Sequence, residues 1–294
     1  NHYMKEKIKT IDIHTHGAFG ICFDNASQSD YKEYLKNAYE TGIEAICPTL
    51  TGDTIEKIHE KLCIIKDVKL CQKKSSKETK IIGAHLEGTF LDKNKPGIQN
   101  PDVFLEPTKE NFKKLVKENE DIVKIVVVGA KDNDNLIKYL KSKDIKVHFG
   151  HTTQNNIKGA DCITHLFNAM DDISHKKETL SLLGLMDQNI YTELIADTKH
   201  VIENVLRLTF KVKDLNKIIL ISDSIPLAHS DLEYVKFCGK KIYKGGLDDK
   251  GTLAGSVMLL PDIVKQLDKL NILPLETAKK LAYDNPINYL KLIV

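Results

Sequence analysis

Short apolar runs alternate with amphipathic stretches along almost the whole chain. The runs are KTIDIHTH (9–16), IEAICPTL (43–50), KIIGAHLEG (80–88), VKIVVVGA (123–130), KVHFGHT (146–152), DCITHLFN (161–168), YTELIADT (191–198) and KIILISDS (217–224). Rich in Ile and Val, they predict eight strands buried on both faces. Between them, 30–42, 54–68, 108–119, 134–144, 181–187 and 201–212 space their apolar positions at helical intervals and predict crossover helices. The connection TQNNIKGA (153–160) is too short for a full helix. KLCQKKSSKETK (69–80) is the most polar stretch and predicts an exposed loop, and the turn-rich piece 233–256 predicts a hairpin excursion. An eighth helix over 257–270 and a terminal helical region from Pro274 follow. Eight strand–helix units in about 250 residues is the arithmetic of a closed (β/α)8 barrel of the TIM type, an α/β fold. An open doubly wound sheet is the runner-up, but no Gly-rich phosphate loop follows any run.

Composition narrows the classes. At 294 residues, with 41% apolar and 29% charged positions, the chain can bury a large core without disulfides, and we expect one barrel domain over 1–294. Lys and Arg number 43 against 41 Asp and Glu, a net charge of +2. That balance gives no electrostatic reason to expect nucleic acid or a membrane surface as partner. No run approaches the roughly 20 apolar residues of a membrane span. The opening NHYMKEKIKT lacks the apolar core of a secretion leader. Six cysteines without a tight framework predict reduced thiols and a cytoplasmic protein.

In such a barrel the active site lies at the carboxyl ends of the strands. His14 and His16 close the first run, Glu87 the third, His151 the fifth, His165 the sixth and Asp223 the eighth, while the seventh leads to Asp197 and His200. Residues two apart on a strand share a face, so His14 and His16 can converge on one ion; Asp12 would lie on that face too. A lone His-x-His is also found as two surface histidines, and a lone strand-end histidine is often a satisfied core residue. Several together with a carboxylate make an N and O donor set suited to Zn²⁺ first, with Fe²⁺, Co²⁺ or Mn²⁺ as alternatives. Asp223 is placed to take and return a proton, and His200 to stabilise an oxyanion. His2, His59, His85, His148 and His229 read as structural.

Together IDIHTHG (11–17), HLEGTFLDKNKPGIQNP (85–101), GHT (150–152), THLFNAM (164–170), IADTKHV (195–201), SDS (222–224) and GTLAGS (251–256) resemble the N-acetylglucosamine-6-phosphate deacetylases of the amidohydrolase superfamily. The resemblance implies hydrolysis of the acetamide of N-acetylglucosamine 6-phosphate to acetate and glucosamine 6-phosphate. It makes Glu87, His151 and His165 the principal metal ligands. His14 and His16 would hold a second ion, giving one or two per subunit. Asp223 is the implied acid/base and His200 its companion. Ile98, Gln99, Asn168, Ala169, Thr198, Lys199, His200, Leu253, Ala254 and Gly255 fall at substrate-binding positions, and Lys176 at the phosphate site, in a family that forms homodimers. A galactosamine-type deacetylase, another amidohydrolase and an inactive sugar-phosphate binder are the alternatives. A cyclic-amide hydrolase would want a lysine deep in the fourth run, whose only one, Lys124, is near its start. The chain departs from the family pattern at Gln99 (usually His), Lys176 (usually Arg), Thr89 (usually Pro), in SHKKETL and in the loop after Gly17. The family's small β-sandwich, built from both chain ends, is expected to be missing.

Overall fold

Eight parallel strands lie side by side in chain order in the computed structural model, which describes residues 7–293. They are β1 (Thr10–Thr15), β2 (Ile43–Leu50), β3 (Ala84–Phe90), β4 (Val123–Val128), β5 (Lys146–Phe149), β6 (Cys162–Ile163), β7 (Tyr191–Ile195) and β8 (Ile218–Ile221). Each expected run yields its strand at its expected place, and a two-residue piece, Lys80–Ile81, pairs with β2 ahead of β3. The sheet closes just past the strand ends. Asp223 N donates to His14 O at 2.9 Å and His16 N to Ser224 O at 2.8 Å, joining β8 to β1. Beneath them the buried Asp12 carboxylate accepts from the Ser222 backbone N–H at 3.3 Å and from the Ser222 hydroxyl. Asp12 therefore serves the seam and not the face of His14 and His16. The pairing of β1 with β2 shifts register between Asp12 and Thr15, which breaks the simple two-residue alternation.

Helices pack around the barrel because each crossover buries an apolar stripe against the sheet. They are α1 (Gln28–Thr41), α2 (Ile55–Cys71), α3 (Lys109–Val116), α4 (Asp134–Ser142), α5 (Leu180–Met186), α6 (Glu203–Val212), α7 (Leu260–Lys269), α8 (Leu275–Ala282) and α9 (Asp284–Leu290). α1 starts on a reciprocal Ser27–Asp30 capping box and stops at Gly42, whose φ of +109° and approach to Ile8 O leave no room for a Cβ. α2 runs three residues beyond expectation, so the loop shortens to 72–79, ending on the buried Thr79, and Lys80 belongs to a strand. α3 ends early, where Lys117 adopts a φ of +46° and a 3₁₀ turn takes over. Residues 153–160 form no helix, as their length requires.

The inner faces of the strands contribute Ile11, Ile13, Ile125, Ile195, Ile219 and Ile221 to a second core inside the barrel. Tyr289 of α9 packs into that core against Tyr191, near the strand starts, so α9 covers the end opposite the chemistry. The expected hairpin is formed by β9 (Tyr234–Phe237) and β10 (Lys240–Tyr243). Among the described residues no helix is long and apolar enough to cross a membrane. All six cysteines are free thiols. His2 and part of the leader reading lie outside the described residues.

Replacing Asp12 with Ala strips the Ser222 N–H, the Ser222 hydroxyl and the His14 N–H of their shared acceptor. Urea denaturation of Asp12→Ala is expected to show a loss of roughly 3 kcal/mol with an unchanged slope, the cost of orphaned buried donors. A loss below about 0.5 kcal/mol would mean that the seam does not depend on this carboxylate.

Candidate metal centre and active site

Glu87 stands at the inner mouth of β3, almost fully buried, with side chains from the ends of β1, β5 and β6 aimed at it. Its Oε1 lies 3.0 Å from His151 Nε2 and 3.0 Å from His165 Nε2, and those two nitrogens are 3.1 Å apart. Its Oε2 lies 2.9 Å from His16 Nε2. His14 Nε2 is 3.4 Å from Glu87 Oε1 and 3.3 Å from Asp223 Oδ1, which is in turn 3.2 Å from His16 Nε2. The backbone is bent to achieve this: His151, His165 and Asp223 have φ of +46°, +25° and +49°. Left-handed φ at non-glycine residues is strained and persists where the surroundings enforce it, commonly at functional sites.

The proton inventory shows what the cluster needs. A carbonyl oxygen can only accept, so His151 Nδ1, 3.0 Å from Lys95 O, and His16 Nδ1, 3.1 Å from Thr49 O, each carry a hydrogen. Their Nε2 atoms face carboxylate oxygens, which bring only lone pairs, so each contact needs a second ring proton or a cation. His14 Nε2, His165 Nδ1 and Asp223 Oδ1 are buried and make no hydrogen bond. Positive charge at the centre resolves these contacts. The pKa values express the same demand: burial pushes His16 down, but Glu87 and Asp223 outweigh it and raise it to about 10. Burial likewise pushes the Asp223 carboxyl up, while His14 and His16 hold it well below the usual carboxylate range. Glu87, His151 and His165 form one compact donor group and His14, His16 and Asp223 another. Imidazole and carboxylate donors at these spacings suit a divalent metal ion.

A cavity of about 250 Å³ opens over this cluster. Of the residues expected to bind substrate, Ile98, Gln99, Asn168, Ala169, His200, Leu253 and Ala254 line it. Thr198, Lys199, Lys176 and Gly255 do not. Lys199 and Lys176 are exposed. Thr198 is held by Gln266. Gly255 packs beneath Asp223, whose carbonyl oxygen would lie 2.6 Å from an added Cβ. Gln99 is turned inward: it accepts from Gly52 N at 2.8 Å, which fixes its amide, and donates to Glu87 Oε2 at 3.2 Å. His200, at the cavity wall, is joined to Asp197 Oδ2 through Nδ1 at 2.8 Å. Two features were not visible in the sequence reading. Phe237 of the hairpin lines the cavity, and Glu193 of β7 is a fully buried carboxylate 2.9 Å from His14 Nδ1. A glutamate inside a run of Leu, Ile and Ala is the same signal that singled out Glu87, and it points to Glu193 equally.

No protein-family model matches the chain. It is 30% identical over 261 residues to the N-acetylglucosamine-6-phosphate deacetylase of Bacillus subtilis (strain 168), covering 84% of this chain and 66% of the relative. The chain belongs to the N-acetylglucosamine-6-phosphate deacetylase family. The Caenorhabditis elegans enzyme of that name is 28% identical, with 95% of this chain and 72% of the relative covered. An N-acetylgalactosamine-6-phosphate deacetylase of Escherichia coli O157:H7 is 25% identical, with 96% and 79% covered. Among solved structures, the Pasteurella multocida N-acetylglucosamine-6-phosphate deacetylase superposes with a TM-score of 0.86 at 24% identity, over 97% of this chain and 76% of that one. A mutant Mycobacterium smegmatis deacetylase in complex with N-acetyl-D-glucosamine 6-phosphate gives 0.86 at 21%, over 97% and 77%. Both share the barrel fold. The chain thus spans about two thirds of the Bacillus deacetylase family member.

The Asp197–His200 pair sets a pH dependence. Burial lowers His200, but the Asp197 hydrogen bond and charge outweigh it and raise its pKa above the ordinary 6.5. A raised folded value means stabilisation fully present below about pH 6.5 and lost as pH rises through the folded pKa. Comparing stability across pH 5–9 for the parent and Asp197→Asn should show that decline flattened in the variant. Parallel curves would show that the pair does not titrate in this way.

Proposed function

We propose that the chain is a metal-dependent deacetylase that hydrolyses N-acetylglucosamine 6-phosphate to glucosamine 6-phosphate and acetate. The observation that carries this reading is the meeting of Glu87, His151 and His165 within 3.1 Å, beside Asp223 in one cavity. Glu87, His151 and His165 would hold one ion; His14 and His16 with Asp223, and Glu87 between, would hold a second. Zinc suits this N and O set best. When bound, a divalent ion polarises the acetamide carbonyl and acidifies water.

The chain's own groups account for the proton traffic. Asp223, held ionised by its neighbours, takes a proton from the attacking water and delivers it to the sugar nitrogen as the C–N bond breaks. His200, kept protonated and oriented by Asp197, donates to the carbonyl oxygen as negative charge builds there. Ile98, Leu253, Ala254 and Phe237 give apolar walls that exclude water from the acetyl group. The lining contains no lysine or arginine, so the phosphate would lie beyond it, where we assign Lys176 and, in a homodimer, the neighbouring subunit. Free thiols throughout agree with a cytoplasmic location. The N-acetylgalactosamine-6-phosphate reading rests on the Escherichia coli relative, which covers nearly the whole chain.

Acetate release from N-acetylglucosamine 6-phosphate, with and without a chelator, tests the proposal; a metal-loaded chain that releases none would sink it and favour the inactive binder. Asp223→Asn is expected to keep its metal by elemental analysis and lose about 10²–10⁴-fold in turnover, the usual scale for a lost acid/base. His165→Ala should lose metal and turnover together. Rates on the glucosamine and galactosamine epimers, run side by side, decide between the two sugars, and we expect the glucosamine epimer to be the faster.

A further inference from the structure

β7 carries a carboxylate for which the reaction has no direct use. Glu193 is fully buried and does not line the cavity. Its Oε2 lies 2.9 Å from His14 Nδ1 and accepts the backbone N–H of His165 at 3.3 Å. Its Oε1 lies 3.2 Å from His148 Nδ1, and His148 Nε2 is 2.9 Å from the hydroxyl of Tyr289 on α9. A carboxylate inside a barrel is costly unless donors surround it. Here the donors belong to both groups of the metal-binding cluster: His14 to one and His165 to the other.

A carboxylate only accepts, so His14 must carry a hydrogen on Nδ1. Its Nε2 lone pair is then directed at the space between Glu87 and Asp223. The His165 peptide is held at the point where its backbone enters the strained left-handed region. One oxygen thus ties a ring of the first strand to the main chain of the sixth.

We propose that Glu193 is a positioning residue that fixes the tautomer and direction of His14 and locks the two metal-binding groups into one unit. The inference rests on reading His14 and His165 as metal ligands. His148 lies between this carboxylate and Tyr289 of α9, 3.2 Å from Glu193 Oε1 and 2.9 Å from the Tyr289 hydroxyl.

The test measures zinc affinity by competition with a chromophoric chelator, in the absence of substrate, on the parent chain and on Glu193→Gln. The glutamine keeps the size but can turn an N–H toward His14. Affinity is expected to fall about 10–100-fold, the range found when a carboxylate behind a ligating histidine is removed. Metal-stripped parent and variant should melt alike, which a merely structural role would not give. Unchanged zinc affinity would overturn the proposal. Should the variant fail to fold, ¹⁵N spectra of the histidines in the unsubstituted zinc-loaded chain read the tautomer directly: a hydrogen on His14 Nδ1 alone supports the proposal, and one on Nε2 overturns it. Zinc binding that depends on Glu193 in a chain releasing no acetate would refute the deacetylase reading alone.

Discussion

The constraint on which this structure turns is the concentration of lone pairs at the carboxyl end of the barrel. Four imidazoles and two carboxylates meet there almost fully buried, and four of the six are tied from behind by a bond that dictates orientation. His16 and His151 are tied to backbone carbonyls, His14 to Glu193, and Glu87 to Gln99. Such an assembly tolerates burial only with positive charge inside it. The strained backbone at His151, His165 and Asp223 is consistent with that demand, since the barrel imposes conformations these residues would not adopt alone.

Much of the architecture was legible because parallel strands buried on both faces leave unbroken apolar runs. β2 coincides with its run to the residue. β6 does not: of the eight positions in its run only Cys162 and Ile163 pair, because the chain turns away at His165 to present its ring. The chemistry was legible for a related reason. A polar side chain ending an apolar strand must be doing something, and those at Glu87, His151, His165 and Asp223 converge. Asp12 misled because a register shift breaks alternation. The inward turn of Gln99 was hidden because it depends on Gly52, some 47 residues away. Positive φ at three functional positions leaves no mark in composition, since none of them is glycine.

The cavity walls refine the picture that the family likeness provides. Residues expected to contact a sugar divide into those on the wall, such as Asn168 and Leu253, and those that shape it from behind, such as Gly255 under Asp223. Gln99 does both, standing on the wall and clamping Glu87 from there.

The closure between β8 and β1 has a dynamic consequence. The two hydrogen bonds that complete the cylinder belong to Asp223, His14, His16 and Ser224, so the fastening of the fold and its reactive groups are the same few residues. Any local opening at that junction dismantles the centre, and any ion held there must resist it. Amide protection along these two strands and retention of the ion should therefore rise and fall as a single cooperative unit.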